Sequence, residues 1–92
     1  MAAEVQTPIE VDEATTLIRV EAVGPEFQYV YVVDPAPDFL PAGLRISLLQ
    51  YDCSFEELNG VIDAGAVIKH IYLRKDGTEI GVVEVTKAAC GR

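Results

Sequence analysis

Cys53 and Cys90 are the two cysteines of the chain, and they bracket a compact unit made of a helix start at Ser54, a helix stop at Gly65 and a hairpin turn at Asp76-Gly77. An even pair closing such a unit points to a structural disulfide and so to an oxidising compartment; two reduced, buried thiols in a cytosolic protein stand as the alternative. The link would matter, because 92 residues make a single domain of the size at which buried area only just offsets chain entropy. In the loop-entropy treatment a bridge between these positions contributes about 3.5–4 kcal/mol, a sizeable share of the ~5–15 kcal/mol that holds most small domains folded.

Half the residues are apolar, so the chain is expected to fold despite 15 acidic against 7 basic residues and a formal charge of −8. That charge opposes phosphate-backbone binding, and Arg74-Lys75 is the single adjacent basic pair, so nucleic acid is not an expected partner. No stretch approaches the ~20 apolar residues that cross a bilayer, and Met1-Ala2-Ala3-Glu4-Val5 lacks the basic and apolar regions of a signal peptide. An exported protein would then be read here in a mature form, with its leader or anchor absent from this chain.

Residues 1–14 carry Pro8 and four acidic residues without a period, and are expected to form an N-terminal arm or a short helical turn. Residues 15–92 are expected to form one α+β domain. Thr15–Val23 and Phe27–Val33 are rich in β-branched and aromatic residues and are broken by Gly24-Pro25, which predicts a first hairpin. After the breaker segment Asp34-Pro-Ala-Pro-Asp38, Pro41 suits the first turn of a helix running to about Tyr51, with Leu44, Leu48, Leu49 and Cys53 at helical spacing. Ser54-Phe-Glu-Glu57 matches a capping box, Gly65 suits a left-handed helix end, and Leu58, Val61 and Ile62 form the stripe between.

Ala66–Arg74 and Thr78–Thr86 flank Asp76-Gly77, the favoured type I′ pair, and predict a second hairpin. Its register pairs Leu73 with Ile80, Ile71 with Val82 and Lys69 with Glu84 on one face. On the other face it pairs Arg74 with Glu79, Tyr72 with Gly81, His70 with Val83 and Ile68 with Val85, which sets Gly81 beneath the Tyr72 ring. The expected fold is a four-stranded antiparallel sheet of two hairpins with two short helices packed on one face, in the order ββααββ.

Two helices of this length cover one face of such a sheet, yet both faces are apolar. A spare face carrying some of Tyr29, Tyr31, Ile71, Leu73, Ile80 and Val82 is therefore the expected contact surface for a protein partner or a second copy of the chain. The alternative is that the arm and the sheet twist cover it and that the tyrosines are ordinary half-exposed strand residues.

Catalytic patterns are lacking. His70, the sole histidine, faces Val83 in the predicted hairpin and reads as a packing residue; Ser54 reads as a cap, and no nucleophile elbow surrounds Ser47 or Ser54. Cys53, Cys90 and His70 have no metal-ligand spacing, and the cysteines lack the C-x-x-C arrangement, although Cys53 before a helix keeps a reactive thiol as a minor alternative. Glu10-Val-Asp-Glu13 and Glu56-Glu57 lack the spacing of a calcium loop, and the glycines form no phosphate loop. No cofactor, metal or small-molecule substrate is expected.

Leu44-Arg45, Cys53, Leu58, Ile62-Asp63-Ala64-Gly65, Tyr72, Asp76-Gly77, the Val83-Glu-Val85 strand and Cys90 together resemble a small domain of bacterial envelope proteins. The pattern is also similar to the disulfide-containing α+β pilotins of type II secretion systems, outer-membrane lipoproteins that bind secretin subunits and aid their delivery. The resemblance spans residues 15–90 and implies that Cys53 and Cys90 are the family disulfide. It also implies a periplasmic or otherwise extracytoplasmic location. The chain departs from a pilotin in having no lipidated N-terminal cysteine, and no secretin-binding residue is matched by motif. The expectation is a non-enzymatic protein-interaction domain of the bacterial cell envelope. The alternative is a self-associating homodimer through the spare sheet face, and a thiol or metal-dependent enzyme is the minor one.

Overall fold

The computed structural model describes residues 8–91, and the expected arm lies outside the described residues over positions 1–7. Seven elements follow in order: β1 (Ile9–Glu10), β2 (Thr15–Val23), β3 (Glu26–Val33), α1 (Leu44–Ser54), α2 (Glu56–Asp63), β4 (Val67–Arg74) and β5 (Glu79–Val85). The strands form one sheet in the order β1-β2-β3-β4-β5.

The α+β class and both hairpins agree with expectation, but two features of the sheet do not. The sheet has five strands, because part of the arm joins it as β1, with Ile9 opposite Leu17. The turn that permits this is held by Asp12, whose Oδ1 accepts the backbone N–H groups of Ala14 and Thr15 at 2.9 and 2.8 Å. The second difference is that the sheet is mixed, since β3 and β4 run parallel, with Tyr29 beside His70 and Tyr31 beside Tyr72. A parallel pair needs a long crossover, and the segment through α1 and α2 supplies one. It returns the chain to the start of β3, where Val67 N–H donates to the Pro25 carbonyl at 2.9 Å.

In the second hairpin, five predicted pairs are present: Ile68 with Val85, Lys69 with Glu84, His70 with Val83, Ile71 with Val82 and Tyr72 with Gly81. Beyond them a bulge pairs Leu73 with Glu79, so the predicted Leu73–Ile80 and Arg74–Glu79 pairs do not form. The cause is the turn. A type I′ loop needs positive φ at Asp76, but only glycines have positive φ among the described residues, with Gly77 at 91°. The loop instead has three residues, closed by Gly77 N–H to the Arg74 carbonyl at 2.9 Å and Arg74 N–H to the Thr78 carbonyl at 2.7 Å. The extra residue turns Ile80 toward the helices, where it packs against Leu17, Tyr31 and Tyr72. Gly81 makes room for Leu40, whose Cδ1 would lie 2.9 Å from an added Cβ.

Both helices pack on one face of the sheet, as expected. Leu44 and Leu48 of α1 meet Leu17, Tyr31 and Tyr72, while Leu49, Cys53, Leu58 and Val61 meet Ile62, Ile68 and Val85. The helix boundaries differ from expectation. α1 starts at Leu44, whose N–H donates to the Pro41 carbonyl at 3.1 Å, and it runs to Ser54. Ser54 therefore has helical backbone and forms no capping box; Phe55 is the extended residue before α2 and no side chain caps that helix. Gly65 behaves as expected: at φ 102° its N–H reaches the Ile62 carbonyl at 2.9 Å, and Ala66 N–H reaches the Val61 carbonyl at 3.0 Å.

Cys53 and Cys90 form a disulfide with Cα atoms 5.6 Å apart, joining the last turn of α1 to the turns after β5. Both cysteines pack on the Ile62, Ile68 and Val85 cluster. The bridge leaves no free cysteine, which removes the thiol that the minor enzymatic alternative needed. It also separates both sulfurs from the Cys–His metal set, and no cluster of three potential metal ligands occurs among the described residues.

Candidate functional site

Between α1 and the sheet a buried polar chain crosses the apolar layer. Tyr31 Oη lies 2.8 Å from His70 Nδ1, and His70 Nε2 lies 2.6 Å from Asp52 Oδ2. Parallel pairing of β3 and β4 sets the rings of Tyr29 and Tyr31 over His70, at centroid distances of 5.4 and 5.8 Å. Helical spacing sets Asp52 above them, four residues after Leu48. All three members are buried, with 1% of Asp52, 4% of His70 and 8% of Tyr31 exposed.

An ionised carboxylate only accepts hydrogen bonds, so Nε2–H donates to Asp52, and a neutral imidazole then accepts the Tyr31 O–H at Nδ1. Burial, reinforced by the Tyr72 phenol and the Asp52 carboxylate, pushes the Tyr31 phenol well above the usual tyrosine range. Tyr72 is pushed up to about 12, by burial first and then by the charges of Asp52 and Asp12. These phenols keep their protons, which suits hydrogen-bond donation and opposes nucleophilic attack. One atom of the set is left over: Asp52 Oδ1 is buried and makes no hydrogen bond with any of the described residues.

The chain of polar groups underlies a groove of about 390 Å³, lined by Leu48, Tyr51, Phe55, Leu58, the sheet tyrosines and Val11 beside the β1–β2 turn, with Asp52 and His70 among them. Its rim is apolar and open to solvent: Tyr51 is 61% and Phe55 40% exposed, and their rings stack at 5.4 Å. No lysine or arginine lines it among the described residues. The nearby charge is negative, since after burial the Asp52 carboxylate, and more weakly Glu57, raises the Tyr29 phenol.

The six residues expected on one contact face lie on two. Tyr29, Tyr31 and Ile80 face the helices, and the two tyrosines line the groove. Ile71 and Val82 sit opposite each other on the open face, with Leu73 one pair along the same strand. There they adjoin Val32, which is half-buried, and Val30, which is only 1% exposed, next to a polar row in which Lys69 lies 3.6 Å from Glu84 and 3.9 Å from Glu26. The division follows from alternation: in β3 the odd positions meet the helices, in β4 the even ones do.

Asp52 is absent from the sequence-derived candidates, although the signal was present. It falls on the stripe of Leu44 and Leu48, where an acidic residue needs a partner. His70 shares the alternation of Ile68 and Tyr72, which buries it on the face that meets that stripe.

No protein-family model and no curated protein matches the sequence. Solved structures do match in fold. A protein from Pseudomonas aeruginosa described as secreted superposes with a TM-score of 0.80 at 14% identity, over 97% of this chain and 81% of that one. The type 2 secretion pilotin EpsS from Vibrio vulnificus gives 0.75 at 19% identity, over 97% and 80%. The type II secretion pilotin AspS from Vibrio cholerae gives 0.67 at 20% identity, over 90% and 77%. The chain thus has the fold of these pilotins, in keeping with the resemblance read from its residues.

Proposed function

We propose that this chain is a non-enzymatic protein-interaction domain of the bacterial cell envelope, acting in the manner of a pilotin. The observation that carries the proposal is the groove, an apolar, partly open trough whose exposed rim pairs Tyr51 with Phe55, on a fold shared with two type II secretion pilotins. Exposed, stacked aromatics supply large contact area at low side-chain entropy cost. The disulfide is consistent with an oxidising compartment. The resemblance makes a secretin subunit the first partner to test.

A photo-crosslinking amino acid at Tyr51, introduced into the protein in envelope-bearing cells, is expected to trap one discrete protein, and a charged substitution at Phe55 is expected to abolish the product without unfolding the domain. Absence of any adduct from folded protein overturns the proposal. Self-association through Val32, Ile71, Leu73 and Val82 is the rival reading, supported by the half-buried apolar row they form on the face away from the helices. Light scattering that returns a monomer at all concentrations removes it.

A further inference from the structure

We propose that the groove selects a partner segment carrying a lysine or arginine among apolar residues, and that Asp52 Oδ1 is the acceptor for that cationic side chain. The inference rests on the groove being a protein-binding site and adds the chemistry of what it binds.

Three observations converge on it. Asp52 lines the groove and is 1% exposed, yet Oδ1 has no hydrogen-bond partner among the described residues, while Oδ2 accepts from His70 at 2.6 Å. A buried carboxylate oxygen without a donor is costly, and a positively charged donor answers it more strongly than a neutral one. The surroundings are complementary to such a group, because no lysine or arginine lines the groove among the described residues and the whole chain has a charge of −8. The remaining lining, from Leu48, Leu58, Tyr51 and Phe55, suits the methylene stem of a long cationic side chain and its apolar neighbours. The hydrogen bonds also fix the donor's position. His70 cannot release Oδ2 without leaving its own Nε2–H unpaired, so the tyrosine–histidine pair holds the carboxylate with Oδ1 as its oxygen without a hydrogen bond.

The test uses three acetylated, amidated leucine–alanine dodecapeptides that differ at one central position: lysine, norleucine or glutamate. Titrations are followed by calorimetry and by NMR of the full chain. The lysine peptide is expected to bind roughly tenfold more tightly than the norleucine peptide and to shift the His70 ring resonances, with the glutamate peptide weakest. In Asp52→Asn the amide oxygen can keep the His70 bond while the NH2 takes the place of Oδ1, turning an acceptor into a donor. The lysine preference over norleucine is then expected to vanish and the glutamate peptide to gain, with the thermal transition confirming a folded variant. Equal binding of lysine and norleucine peptides by the native protein overturns the role of Asp52 and leaves the interaction groove standing. A lysine preference that survives in folded Asp52→Asn also overturns it, since the general negative field would then be its source. Failure of all three peptides to bind overturns both the inference and the groove. Should Asp52→Asn not fold, the native protein's lysine preference is measured at low and high salt: a preference that salt abolishes comes from the general field and overturns the role of Asp52, and one that persists supports it.

Discussion

Asp52, His70 and Tyr31 depend on one another as single residues seldom do, because each satisfies a polar atom that the apolar layer would otherwise leave bare. His70→Ala strands the Asp52 carboxylate and is expected to cost about 3–5 kcal/mol in urea unfolding. Asp52→Ala is expected to couple with it. The double variant should cost less than the sum of the singles by about 0.5–3 kcal/mol, and strict additivity would show that the 2.6 Å contact carries no energy. The tyrosines set a limit on the alkaline side. A phenol whose folded pKa is raised favours the folded state fully below the free value near 10, and that contribution is lost as pH rises toward the folded value. For Tyr72 the window runs from about 10 to about 12, so stability is expected to fall there, and Tyr72→Phe should flatten the decline in a series of denaturant midpoints. At this scale the sequence disclosed His70 as a packing residue but not its partner. Helical spacing marks where a residue of α1 will be buried, whereas the pairing of a residue on α1 with one on β4 is set by the crossover between them.

Elements were legible where local chemistry decides them. Gly24-Pro25 and Asp76-Gly77 separate β-branched runs, and Gly65 ends a helix because no side chain favours its φ of 102°. Gly65→Ala is therefore expected to cost about 1–2 kcal/mol in thermal or urea unfolding. Boundaries were less legible where a distant contact overrides a local preference. The chain at Ser54 has the sequence of a cap, but Asp52 bound to His70 and Cys53 bound to Cys90 hold it in the last turn of α1. Ser54→Ala should accordingly change stability by no more than about 0.5 kcal/mol, where a working capping box would cost about 1 kcal/mol. The parallel seam between β3 and β4 escaped for a related reason. Alternation identifies strands and their faces, but whether two hairpins meet parallel or antiparallel depends on where the intervening helices deliver the chain.

For the whole molecule the disulfide is the largest single constraint, and Cys90→Ala is expected to lower stability by about 3.5–4 kcal/mol, read as a shift of the thermal transition against the native protein under the same conditions. The bridge also divides the chain into a covalent ring, residues 53–90, and an open length before it. α2, β4 and β5 belong to the ring; β1, β2 and β3 belong to the open length, and across the sheet the two meet at the parallel seam of Glu26–Val33 with Val67–Arg74. A single cut at the Lys75–Thr78 turn would leave one covalent molecule until reductant is added, whereas a cut between residues 34 and 43 would give two chains clasped only by hydrogen bonds and apolar packing. Under a pulling force applied at the N-terminal side, the line of parting would run along that seam and through the Tyr31–His70 contact, so the floor of the groove is also the mechanical joint of the molecule.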